Sequence, residues 1–160
     1  MSKEKVILFD TTLRDGQQTQ GVDFSVQDKV NIAKALDNIG IDYIEGGWPG
    51  ANPTDTKFFE QDNKFSNAKF TAFGMTKRPG RSADNDPQLR SLIDANSDSI
   101  CLVAKTWDFH VDLALGISLE ENIEAIKDSV LSVKANDKEP LIDCEHFFDG
   151  FKSNPEFSYK

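Results

Sequence analysis

Cysteine is scarce in this 160-residue chain: Cys101 and Cys144 stand far apart, each in an apolar run. Two such residues build no disulfide framework, and they read as reduced core thiols of a cytosolic protein. Histidine is equally scarce, with His110 and His146 alone. No apolar run approaches the roughly 20 residues that a membrane span needs. Met1 to Lys5 is polar and runs straight into apolar residues, which is not the pattern of a signal peptide. Positive charge is in deficit: Lys and Arg total 18 against 27 Asp and Glu, for a net charge of -9. That balance disfavours a general nucleic-acid or membrane-surface role, because both want a basic face. An anionic substrate would need a local cationic pocket or a metal. Gly-x-Gly-x-x-Gly is absent and so is a Walker-type loop, so neither a dinucleotide nor a P-loop site is encoded.

What is present is an ordinary globular composition, 38% hydrophobic and 28% charged. Its order is regular. Val6-Ile7-Leu8-Phe9 is too short for a helix and rich in strand formers. Ser25 with Asp28 predicts a capped helix start; Val26, Val30, Ala33 and Leu36 share one face, and Gly40 ends the helix. Tyr43-Ile44 predicts a second strand and Asn52-Pro53 a second helix. Phe70 to Phe73 and Ile100 to Ala104 predict strands three and four, with Asp86-Pro87 opening the helix between them. Ser118 and Glu121 form a capping box ahead of Ile123, Ile126, Val130 and Val133. Leu141-Ile142 predicts a fifth strand, and Asn154-Pro155 opens a further helix that the chain does not complete. Strict alternation implies a parallel sheet with right-handed crossovers. Two architectures satisfy it: an open doubly wound sheet, or a (β/α)8 barrel of roughly 250 residues cut after its fifth strand. Periodicity and spacing do not separate them.

In either architecture ligands bind at the carboxyl ends of the strands. The polar residues expected there are Asp10, Arg14, Asp15, Gln17 and Gln18; then Glu45 and Gly46-Gly47-Trp48; then Thr76, Lys77 and Arg78; then Lys105, Thr106, Asp108 and His110; then Asp143, Glu145, His146 and Asp149. Each has a plain alternative. An Asp past a strand caps a turn. Arg14 beside Asp15 is also what a surface pair looks like. His146 between polar and aromatic neighbours reads as a half-buried histidine, and Lys77-Arg78-Pro79-Gly80-Arg81 as a solvated loop or a weak phosphate site. Taken jointly, an Asp15 carboxylate offers a hard oxygen ligand to Mg, Mn or Zn. The adjacent Arg14 guanidinium suits an oxygen on which negative charge develops.

The run Phe9-Asp10-Thr11-Thr12-Leu13-Arg14-Asp15-Gly16-Gln17-Gln18 resembles the signature of the metal-dependent acyl-CoA barrel enzymes. That family includes isopropylmalate, homocitrate and citramalate synthases and hydroxymethylglutaryl-CoA lyase. Tyr43 to Gly50 with Asn52-Pro53, Lys105 to Val111, and Glu145 to Gly150 resemble its citramalate synthase branch. The resemblance runs from about Val6 to Phe157. It implies a (β/α)8 TIM barrel, with residues 1–160 as the amino-terminal part of one catalytic domain. It implies an acyltransferase that condenses acetyl-CoA with pyruvate in isoleucine biosynthesis, cytoplasmic and homodimeric at full length. Carried over, Asp15 ligates the divalent metal, and Arg14 binds pyruvate and stabilises developing charge. Gln18 shapes the site, Glu145 holds or polarises substrate, and Glu45 and His110 match substrate-binding positions. The family takes two further metal ligands from a His-x-His pair, and His110 and His146 are not so spaced. The alternatives are a 2-isopropylmalate synthase-type enzyme with a bulkier 2-oxo acid, and a non-catalytic half-barrel assembly module.

Overall fold

The structure is a computed structural model and describes residues 5–160. Met1–Glu4, on which most of the no-leader reading falls, lie outside the described residues. Five strands form one sheet: β1 (Phe9–Asp10), β2 (Tyr43–Gly47), β3 (Lys69–Met75), β4 (Ser99–Lys105) and β5 (Glu139–Glu145). Their order in the sheet is their order in the chain, and β1 with β2 and β2 with β3 pair in parallel. This decides between the two candidate architectures. A doubly wound sheet reverses its strand order at a switch point, whereas a barrel adds each strand beside the last.

Several strand boundaries differ from the sequence pattern. Val6, Ile7 and Leu8 are not paired as strand and stand 77%, 60% and 50% exposed. β1 comes first in the sheet order, and before Phe9 Leu8 O takes the N–H groups of Asp42 and Tyr43 while Leu8 N–H donates to Asp42 Oδ2 at 2.9 Å. At the other ends, Glu45, Gly46 and Gly47 lie inside β2, and Glu145 inside β5, not beyond them. Polarity marks the strand's useful end without stopping its pairing. Cys101 is buried as expected, but Cys144 is exposed. It sits on β5, the last strand in the sheet order, where Ile142 and Asp143 are exposed too.

The residues group into two compact units. The first comprises, among the described residues, 5–73 and Asp94–Ser99. Its helix α1 (Val26–Asn38) begins with the Ser25–Asp28 capping box and ends at Gly40, φ +87°. The Gly40 N–H donates to Asp37 O and the Ile41 N–H to Leu36 O, the paired bonds of a Schellman stop. Helix α2 (Pro53–Phe59) is capped by the Asn52 side chain, which accepts from Asp55 N–H. Leu13, Ile44, Phe58, Phe59 and Phe70 form the core, each at most 2% exposed. Burying each such side chain contributes about 1.5–3 kcal/mol. Phe59 stacks on Phe70 at 4.5 Å, close enough that Gly46 has to lack a side chain: a Cβ there would lie 2.6 Å from Phe70 Cζ.

The second unit comprises Gly74–Ile93 and Ile100–Lys160. Helix α3 (Pro87–Asp94) is started by Asp86, whose Oδ1 accepts from the N–H groups of Gln88 and Leu89. A short helix α4 (Asp108–His110) runs into a π-turn, Val111–Leu115, closed by Gly116 in the left-handed region. Helix α5 (Leu119–Ala135) starts with the Ser118–Glu121 capping box. Its buried line is Asn122, Ala125, Ser129 and Val133, while Ile123, Ile126 and Val130 are half-buried at its flanks. Small and polar residues take that line because two of them bond to strand ends: Asn122 Nδ2 donates to Lys105 O, and Ser129 Oγ accepts from Lys77 N–H. Helices α6 (Phe147–Ser153) and α7 (Pro155–Ser158) close the unit. The helix expected at Asn154-Pro155 is thus present as one turn, and α4 and α6 have no counterpart in the sequence pattern.

Candidate active site

In the first unit the chain leaves β1 through a tight turn. Three successive N–H groups, of Arg14, Asp15 and Gly16, converge on Thr11 O at 2.8–3.1 Å. Asp10 caps its own turn, accepting from Thr12 N–H at 2.9 Å, which is its plain reading. Leu13 is fully buried and anchors the turn in the core. Arg14 then lies flat, its Cζ 3.8 Å from the centroid of the Phe73 ring. Its Nε donates to Glu45 Oε2 at 2.7 Å and its Nη1 to Asp15 Oδ1 at 3.1 Å. Glu45 is 1% exposed and the Asp15 side chain 62%. A buried carboxylate therefore fixes one edge of the guanidinium, and the Nη2 edge carries no hydrogen bond to the described residues. That edge suits two oxygens of an anion.

Gln18 sits exposed in a 3-10 turn, Gly16–Gln18. Beside it, Gln17 Oε1 is buried with no hydrogen-bond partner among the described residues. Asp15 offers one hard carboxylate oxygen. Among the described residues no three His, Cys, Asp or Glu side chains gather as a metal site would require. Asp15 fits as one ligand of a divalent metal and does not make a site by itself.

In the second unit Lys105 Nζ pairs with Glu145 Oε2, and Thr106 Oγ1 donates to Glu145 O at 2.7 Å. His110 meets His146 edge-on, ring centroids 4.6 Å apart, with Trp107 4.7 Å from His110. His146 takes a left-handed backbone, φ +54°, and its Nδ1 lies 3.3 Å from Asp149 Oδ2. The two histidines, separate in sequence, are thus neighbours. The basic loop is engaged locally: Lys77 Nζ pairs with Asp128 at 3.1 Å and Arg78 Nε donates to Gln88.

Sequence reasoning passed over three contributors. Phe73 falls in a predicted strand, and nothing in the sequence marks it as the surface under Arg14. Lys105 falls at a predicted strand end, and its pairing with Glu145, 40 residues on, has no local signal. Lys29 was not singled out, although it sits three residues after Val26 and four before Ala33, a lysine in the middle of an apolar stripe. It is fully buried, and Asp55 pairs with it. Burial pushes the Lys29 ammonium below its ordinary pKa, against the opposing pull of Asp55.

The family model described as HMGL-like matches residues 5–157. The chain belongs to the HMGL-like family. Among curated relatives, (R)-citramalate synthase of Aquifex aeolicus is 52% identical over 157 residues, which is 97% of this chain and 30% of that protein. (R)-citramalate synthase of Geobacter sulfurreducens is 54% identical over the same shares. The chain therefore spans about 30% of the length of these HMGL-like relatives. Among solved structures, HMG-CoA lyase from Brucella melitensis superposes with a TM-score of 0.66 at 13% identity, over 89% of this chain and 52% of that one. An HMG-CoA lyase from Acinetobacter baumannii, in complex with coenzyme A and 3-methylmalate, gives 0.64 at 14% identity, over 86% and 44%. At these identities the likeness is one of fold. It agrees with the chain-ordered sheet: this is the amino-terminal portion of an HMGL-like (β/α)8 TIM barrel, up to its fifth strand. No helix among the described residues is long and apolar enough to cross a membrane.

Proposed function

We propose that the chain is the first part of the single catalytic barrel of a citramalate synthase-type acyltransferase, one that makes (R)-citramalate and CoA from pyruvate and acetyl-CoA. The observation that carries this is Arg14, held flat on Phe73 by the buried Glu45 with an edge free for oxygens. The high identity to citramalate synthases supports pyruvate over a bulkier 2-oxo acid. The methyl carbon of acetyl-CoA loses a proton and bonds to the keto carbon of pyruvate. The keto oxygen takes the electron pair and then a proton, and water cleaves the thioester to release CoA. Arg14 binds the pyruvate oxygens and stabilises that developing charge. Glu45 acts through Arg14. Asp15 contributes one ligand to a divalent ion, Mg, Mn or Zn, which when bound polarises the keto group. Gln18 shapes the same region. Glu145, held by Lys105, and His110 serve substrate binding and orientation. The product's branched hydroxy-diacid skeleton suits isoleucine synthesis in the cytoplasm, and the complete enzyme works as a homodimer.

A chimera tests this, with the present chain replacing its matching stretch in the Geobacter sulfurreducens enzyme. CoA release with pyruvate, and citramalate identified as product, is expected. Preference for 2-oxoisovalerate would move the chain to the isopropylmalate branch, and a folded chimera without CoA release would refute both.

A further inference from the structure

Arg14 and Glu45 lie on different segments, and their pairing needs those segments held in register. Lys29, in the second turn of α1, sits beneath both and is 0% exposed. Its Nζ donates to Leu13 O at 2.8 Å, to Gly46 O at 3.0 Å and to Asp55 Oδ1. Three protons meet three acceptors, so the ammonium is saturated. Leu13 immediately precedes Arg14, and Gly46 immediately follows Glu45. Asp55 is itself fixed, accepting from Trp48 N–H at 2.8 Å and Asn52 Nδ2 at 2.9 Å. It reaches that position because Gly47, φ +142°, carries no side chain: a Cβ there would lie 2.6 Å from Asp55 Oδ2. An apolar side chain fills the same space but cannot cross-link two carbonyl oxygens.

We propose that Lys29 is a positioning residue whose buried ammonium clamps the residue before Arg14 to the residue after Glu45, and so sets the Arg14–Glu45 pair. This rests on the reading of Arg14 as the ligand of substrate oxygens, where a shift near 1 Å costs about 100-fold in rate. Asp55 orients the clamp from its far side.

The test reads the Arg14 Nε–H directly, by its hydrogen exchange in the isotope-labelled chain, without substrate. Two variants are compared: Lys29→Met, and Lys29→Met with Asp55→Asn, which removes the stranded carboxylate charge and keeps the fold testable. In the double variant Arg14 Nε–H exchange is expected to quicken at least tenfold. The amides of Ala68, bonded to Asp37, and Leu89, bonded to Asp86, should stay within twofold. Arg14 exchange within twofold of the parent would overturn the proposal. So would loss of the native amide spectrum in both variants, since Lys29 would then be framework alone. A chimera that makes no citramalate refutes the proposed function and leaves the clamp standing, and unchanged Arg14 exchange does the reverse.

Discussion

Replacing Lys29 by Met removes one buried cation and leaves most of the volume filled. It takes a donor from three acceptors. Leu13 O and Gly46 O lose a donor outright, while Asp55 keeps the Trp48 and Asn52 N–H groups. Breaking a buried pair from one side costs about 3–5 kcal/mol. The orphaned carbonyls, at roughly 1–3 kcal/mol each, account for much of that figure and are not added to it. At this chain length 1 kcal/mol moves Tm by about 2–4 °C, so a fall of roughly 6–20 °C is expected. Adding Asp55→Asn removes the unpaired charge, and the double variant should be about 1–2 kcal/mol less destabilised than the sum of the singles. Urea titration followed by tryptophan fluorescence measures this, since Trp48 packs edge-on against Phe73 in the same unit. A cost below about 1 kcal/mol for Lys29→Met, or strict additivity in the cycle, would show that the three bonds do not hold the site together, because a saturated buried ammonium cannot be silent.

Three further outcomes follow from the same structure. Gly46→Ala places a Cβ 2.6 Å from Phe70 Cζ and 3.0 Å from Phe59 Cζ, and should lower the urea midpoint by the equivalent of about 1–3 kcal/mol. Burial raises the Asp37 carboxyl, but the N–H groups of Ser66, Ala68 and Asn67 outweigh it and leave its pKa below 3.8. Its stabilisation is therefore whole above 3.8 and is lost as pH falls through the lower native value, because the unfolded chain takes up the proton first. Asp37→Asn should flatten the acid limb of a urea-midpoint profile, and an unchanged slope would exclude this carboxylate as its source. The 160-residue chain alone, given pyruvate, acetyl-CoA and Mg, Mn or Zn, should release no CoA above background in a thiol assay; release abolished by Asp15→Ala would contradict the single-ligand reading.

Most elements were legible because local chemistry and tertiary packing agree. Ser25, Asn52, Asp86 and Ser118 start their helices as spacing predicts, since a side-chain oxygen satisfies N–H groups that any helix start leaves open. The strand order was not legible, because alternation is common to barrels and doubly wound sheets and only pairing partners separate them. The exposure of Cys144 and of Val6 to Leu8 was not legible either: an apolar residue looks the same whether or not a neighbour covers it. At the site, Arg14, Asp15 and Glu45 were visible from sequence, as residue types at a strand end. Lys29 was hidden by convention, since a lysine within an apolar stripe is normally read as a solvated flank. Only its three buried acceptors reveal it. The meeting of His110 and His146 depends on the left-handed turn at His146, a conformation that sequence rarely announces for a non-glycine residue.

In the proposed reaction Arg14 binds the substrate oxygens and stabilises the charge that develops on them. The direct measurement is kcat/KM for pyruvate in the chimera carrying Arg14→Lys, with circular dichroism to establish folding. Lysine keeps the charge but loses the stacked fork that Glu45 and Phe73 hold in place. A fall of about 100- to 1000-fold is expected. A folded Arg14→Lys chimera within threefold of the parent would contradict it.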